Sequence, residues 1–405
     1  MTDTHVPRGS RVRLGTLTGN LRVEPNTQID VDGRLVVPGE ARFEGRSQVG
    51  GDLECRSFQS EDGTVEVHGH LTVEEDLRGE DSTLEVDGEL KARDVDIDRG
   101  LRVKGPIRGE TFEVGGLLDG GATLDATKVS VGGRFRLAGK LTARDVEAGG
   151  SIDVADVDLE TLEAGGLVRL RGGRVRQLID VGGRFVSEAP IEFGSLEAGG
   201  LAELRGGGTG GSVDVGGFFR TRGDLAFTSL ETGGIGSVSG NARGQEVEVG
   251  GKFEVGGSLV LTGPIEVGGS LSVGQEMSAD RLELGGRFSA RRATLLSQAV
   301  VGGSAETQDG LKSPRITLRR KARATGPLVG GSVDLGEKAQ AEDIYGETVE
   351  LRSKASARRI FAASVRLREG SMADEVTYTQ SVEVGEGVRL STPPKKVSQL
   401  PAFPL

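Results

Sequence analysis

Aliphatic residues along this chain come in pairs two positions apart, with a polar or charged residue between the members. In residues 133–149 the pairs are Phe135/Leu137, Leu141/Ala143 and Val146/Ala148, separated by Arg136, Thr142 and Glu147. Period-two alternation over so short a span predicts a half-buried strand, and the two or three residues left between pairs suffice only for a bend. Three strands and three bends make one three-sided coil. The same grammar is read in Ile152/Val154, Val157/Leu159 and Leu162/Ala164, and again in Leu271/Val273, Met277/Ala279 and Leu282/Leu284.

The last pair of each such coil runs into a double glycine, as in Val146-Glu147-Ala148-Gly149-Gly150, Leu162-Glu163-Ala164-Gly165-Gly166, Ile179-Asp180-Val181-Gly182-Gly183 and Leu196-Glu197-Ala198-Gly199-Gly200. A fixed short period is the signature of a solenoid, which grows along an axis instead of dividing into separate cores. The fold class predicted is all-β: a right-handed parallel β-helix of about 17 residues per coil, roughly 20 coils and about 100 Å long at the sheet spacing. The uneven spacing within a coil differs from the strict hexapeptides of left-handed helices. Glycines at one corner are expected where a bend needs positive φ or close backbone approach.

The alternation outlasts the glycines. Ile316/Leu318, Val333/Leu335, Val349/Leu351, Val365/Leu367 and Val382/Val384 keep the spacing, while the corner becomes Arg319-Arg320, Gly336-Glu337, Arg352-Ser353, Arg368-Glu369 and Gly385-Glu386. The organisation expected is a flexible tail over residues 1–11, one continuous solenoid over 12–390 with a corner and register shift near 88–100, and a proline-containing tail over 391–405. Proline lacks the donor a ladder needs.

Composition narrows the function classes. Gly is 67 of 405 residues without a Gly-X-Y triplet, which excludes collagen, and aromatics are only 4 %, which suits a narrow aliphatic core. A net charge of −11 argues against nucleic acid as a partner. The lone Cys55 excludes an intrachain disulfide and falls on an inward position. No apolar run approaches a bilayer span and no secretory leader is read before the repeat, so a cytoplasmic protein is expected.

Residues 341–390, beginning Ala341-Glu342-Asp343-Ile344-Tyr345-Gly346, alternate apolar pairs with small corner residues, and Val12 to Leu53 has a similar look, with Gly51-Asp52-Leu53 at a corner. This pattern resembles the bactofilins, polymer-forming cytoskeletal proteins. The resemblance implies a β-helix that self-assembles end to end, without nucleotide, into filaments, its partners being itself and other cytoskeletal or envelope-associated proteins. The short hydrophobic-basic N-terminal stretch of some bactofilins is not seen here, so membrane attachment is not inferred. Physics points the same way, since the end coils of a parallel solenoid expose unpaired backbone groups. The polymer interface expected is Leu21 and Val23 at one end and Val388 and Leu390 at the other. The alternatives are a passive spacer or adhesin-like rod and, more remotely, a carbohydrate-active enzyme.

Charge is uneven. Residues 61–100 hold 14 acids against 4 bases, and residues 311–370 hold 13 bases against 7 acids. The latter suggest a basic surface patch of Arg319, Arg320, Lys321, Lys354, Arg358 and Arg359, suited to docking between rods or to an anionic surface. Catalytic chemistry finds no foothold. His68 and His70 flank Gly69 at a corner without a cysteine nearby, and outward acids such as Asp94, Asp96 and Asp98 are generic to an acidic sheet. The run from Gly206 to Gly211 lacks the Lys-Ser/Thr of a phosphate loop and reads as a thin coil. No catalytic residue, metal or cofactor is expected.

Overall fold

Alternation becomes, in the computed structural model, a set of parallel ladders in which each short strand pairs with the one about 17 residues on. The structure describes residues 3–402. It is all-β, about 23 turns of a parallel β-helix, with no helix among the described residues. Two compact units divide the chain after Gly200.

In the first unit the first face stacks Val129, Val146, Leu162, Ile179 and Leu196 rung on rung. The second face stacks Leu101, Leu118, Phe135, Ile152 and Val168. The third stacks Ile107, Leu124, Leu141 and Val157. The second unit repeats the scheme with Leu230, Val247, Ile265 and Leu282 on its first face and Phe219, Gly236, Phe253, Leu271 and Phe288 on its second. These side chains fill the interior and are essentially inaccessible to water. Each fully buried Leu or Phe contributes about 1.5–3 kcal/mol. Volume is balanced between neighbouring coils: a Cβ on the inward Gly236 would lie 2.7 Å from the Phe253 ring, so the small residue makes room for the large one.

The paired glycines have one of the two expected causes. None of the corner pairs between Gly115 and Gly200 has positive φ. Instead the corners nest so closely that a Cβ on Gly132 would lie 2.3 Å from the carbonyl oxygen of Gly115, and one on Gly149 would lie 2.5 Å from that of Gly132. Beyond residue 318 the corner is a four-residue turn closed by Ala322 N–H to Arg319 C=O, Ala339 to Gly336, Ala355 to Arg352 and Ser371 to Arg368. Its third residue is left-handed: Lys321, Lys338 and Lys354 at φ 63°, 59° and 60°, then Gly370 and Gly387 at 63° and 66°.

Three expectations change. The backbone register does not slip near 88–100, because Leu90 pairs with Leu71 and Ile107, and Val95 with Leu77 and Phe112. Only the glycines move there. Gly69, Gly88 and Gly105 stack at the corner before the third face, and from Gly115 onward the pairs stack at the corner before the second. The N-terminal tail is not free, since Thr4–Val6 pairs in register with Leu21–Val23 and Arg11 to Leu14 pairs with Gln28 to Val31. The C-terminal tail also continues the ladder: Lys395–Lys396 pairs with Thr377 and Tyr378, and Pro393 and Pro394 sit in the preceding bend, where no donor is required. Residues 1–2 and 403–405, the outermost parts of both expected tails, lie outside the described residues. The glycine run does stay in the ladder, with Gly208 opposite Leu225.

Cys55 is buried on the third face between Val37 and Val73, and burial pushes its thiol up to about 12. A thiol so placed is expected to give no reaction with an aromatic disulfide reagent in the native protein and one full equivalent in denaturant. Rapid native labelling would contradict the packing.

Candidate assembly surfaces

A solenoid has two kinds of surface with functional potential, the end coils and the outward stripes along its faces. At the N-terminal end, Leu21 and Val23 are fully buried because the Thr4–Val6 strand covers them. The interface expected there therefore moves outward by a coil. The residues left half-exposed are Val12, Leu14 and Leu17, all aliphatic. At the C-terminal end Val388 and Leu390 lie on the last coil, half-buried, with Leu390 opposite Ala373. Beside them are half-buried Val382 and exposed Val384, the latter 49 % accessible. Equivalent residues one coil inward, Val365 and Leu367, are 2 % and 1 % exposed. Among the described residues the outer edges of Thr4–Val6 and of the terminal Lys395–Lys396 strand have no partner strand.

The basic residues do not form one patch. Arg319 reaches back two coils to Glu283 at 2.5 Å, Arg320 lies 3.4 Å from Glu337, and Lys321 and Lys354 occupy left-handed turn positions at the same corner. Arg358 and Arg359 are elsewhere, where the second face turns into the third. Both clamp the buried carboxylate of Asp343, Arg359 donating from Nε and Nη2 at 2.9 and 2.5 Å, and Arg358 at 3.1 and 2.7 Å. Their charge is half spent internally, and the pair, Arg359 foremost, holds the Asp343 carboxyl at about 2.

The faces differ in how they order charge. On the second face of the first unit the central outward residue alternates in sign, Glu85, Arg102, Asp119, Arg136, Asp153, Arg169 on successive rungs. Such a stripe neutralises itself, as in the Arg102–Glu85 pair at 2.5 Å. On the first face the corresponding residues are Glu147, Glu163, Asp180 and Glu197, four carboxylates on consecutive rungs. All four are exposed and none makes an ion pair or side-chain hydrogen bond. At a rung spacing of about 4.8 Å, like charges repel by roughly 1 kcal/mol per neighbouring pair in water of low salt. These acids stand in the middle of the quoted glycine motifs, but their meaning depends on which coils are neighbours.

The remaining candidates are absorbed by structure. His68 Nδ1 faces Asp87 at 3.0 Å, and His70 Nδ1 accepts the Glu89 backbone N–H at 2.8 Å. Lys104 and His68 hold the Asp87 carboxyl below its usual range. No cluster of three or more His, Cys, Asp or Glu among the described residues is placed to hold a metal. Fold and surfaces define a parallel β-solenoid with aliphatic end coils and charge-ordered faces. No family model, curated protein or solved structure matches the chain.

Proposed function

We propose that this chain is a structural protein that assembles end to end, without nucleotide, into filaments or a scaffold. The observation that supports this reading is aliphatic surface on both end coils: half-exposed Val12, Leu14 and Leu17 at one, and Val382, Val384, Val388 and Leu390 at the other, each beside a strand edge that has no partner among the described residues. Stacking would extend the ladders and remove this apolar surface from water. A structural rather than catalytic role also accords with bends too short to build a cleft.

The test is electron microscopy and sedimentation of the purified chain without nucleotide. Wild type is expected to form filaments at micromolar concentration. Leu390→Arg and Leu14→Arg, both at open ends, should weaken end association by about 2 kcal/mol, roughly thirtyfold, with the β-rich circular dichroism unchanged. Discrete monomers of wild type at the same concentration would favour a passive spacer. That second reading has an observation of its own: Pro393, Pro394, Lys395 and Lys396 bring to the terminal strand the residue types that blunt sheet edges.

A further inference from the structure

In the second unit, Ser270, Arg287, Ser304 and Arg323 occupy one outward position of the second face on four successive rungs. With the Gly286 and Gly303 corners and Lys321 they line a shallow open notch of about 500 Å³. Its floor is bare because glycines and serines lack bulk, and its walls are cationic. No carboxylate lines it. Arg287 and Lys321 make no ion pair, and Arg323 is held by the Gln340 side-chain oxygen at 2.6 and 3.0 Å. The surroundings do not neutralise it either. Residues 281–325 contain ten bases and three acids, of which Glu283 is taken by Arg319 and Asp309 by Arg291. Glu306, two positions beyond Ser304, makes no ion pair.

The geometry points to the occupant: the first-face carboxylate stripe of a second copy of this chain, Glu147, Glu163, Asp180 and Glu197. The two surfaces complement each other in charge, and neither is neutralised by an ion pair within its own chain. They also share a ruler. Carboxylates recur on every rung, and Arg287 and Arg323 stand two rungs apart with the small Ser304 between them, so alternate carboxylates meet successive arginines whichever rung is aligned first. Copies thus associate side by side through matched ladders. This contact goes beyond end stacking and does not depend on it.

The test uses the full chain in the Leu390→Arg background, where end association is weakened, followed by sedimentation velocity at about 50 mM and about 500 mM salt. Lateral dimers are expected at low salt, weakened at least about tenfold at high salt. Arg287→Glu with Arg323→Glu should abolish them, as should Glu163→Arg with Asp180→Arg. Mixing these two double variants should restore dimers, which a variant that merely misfolded could not do. Dimers that persist in either double variant, or no restoration on mixing, overturn the inference. So does a chain that stays monomeric at low salt yet binds phosphatidylserine vesicles through Arg287 and Arg323, since the notch would then serve an anionic lipid surface. Loss of filaments with lateral dimers retained would count against end stacking alone.

Discussion

Replacing Gly116 by alanine is expected to destabilise the first unit by about 3 kcal/mol or more, though it adds only a methyl group to an outer corner. The added Cβ would lie 2.1 Å from the carbonyl oxygen of Arg99 in the coil below. That oxygen is backbone, and it accepts the Leu117 N–H at 3.0 Å. It cannot rotate aside as a side chain would. Relief requires the two coils to part by an ångström or so at the corner, which strains the ladder bonds on both adjoining faces. The matched control is Gly15→Ala, at a glycine with no atom within 4 Å of the added Cβ and no positive φ. That change should be neutral or stabilising by up to about 1 kcal/mol, through the unfolded chain. Urea unfolding, with amide exchange to locate the loss, separates the two variants. Equal midpoints would show that the corner tolerates side chains.

The second large effect concerns Asp343. Its carboxyl is held at about 2 by Arg359 and Arg358, below the usual value of 3.8. A depressed folded value means stabilisation that is fully present above about pH 4 and lost as pH falls towards 2. The shift corresponds to about 2.5 kcal/mol, reduced to roughly 1–2 kcal/mol because the two arginine side chains are 42 % and 53 % exposed and partly screened. Asp343→Asn should therefore lower stability by roughly 1–2 kcal/mol at pH 7, and the difference from wild type should shrink as pH approaches 2. Denaturant midpoints at several pH values test this. A gap that stays constant with pH would mean that packing, not charge, accounts for the loss.

How far the sequence could be read depended on whether a feature lies within one coil or between coils. Pairs such as Phe135/Leu137 and Val146/Ala148 state their own burial, so the strands, the repeat and the fold class were legible directly. The glycine pairs marked a corner, but the choice between positive φ and close approach needed the oxygen of the coil below. Pro393 and Pro394 suggested a free C-terminal tail because proline cannot donate in a ladder. In the structure they fall in a bend, and the Lys395–Lys396 strand that follows pairs normally, as does Thr4–Val6 in the other expected tail. Arg358 and Arg359 looked like open surface charge because their partner Asp343 lies a full coil earlier in the chain. The first-face acids were in plain view inside the motif, yet only rung-by-rung pairing distinguishes their unbroken row from the alternating row beside it.

The glycine seam has a consequence for how such a molecule can change size. From Gly132 to Gly183 each member of the corner pairs rests on the backbone of a glycine in the coil below, so any storey of this stretch can follow any other at that corner. Unequal crossing-over that removes or duplicates a storey leaves every remaining corner seated as before. Length in this family of shapes can drift by whole floors, and selection is left to act on the termini and the painted sides.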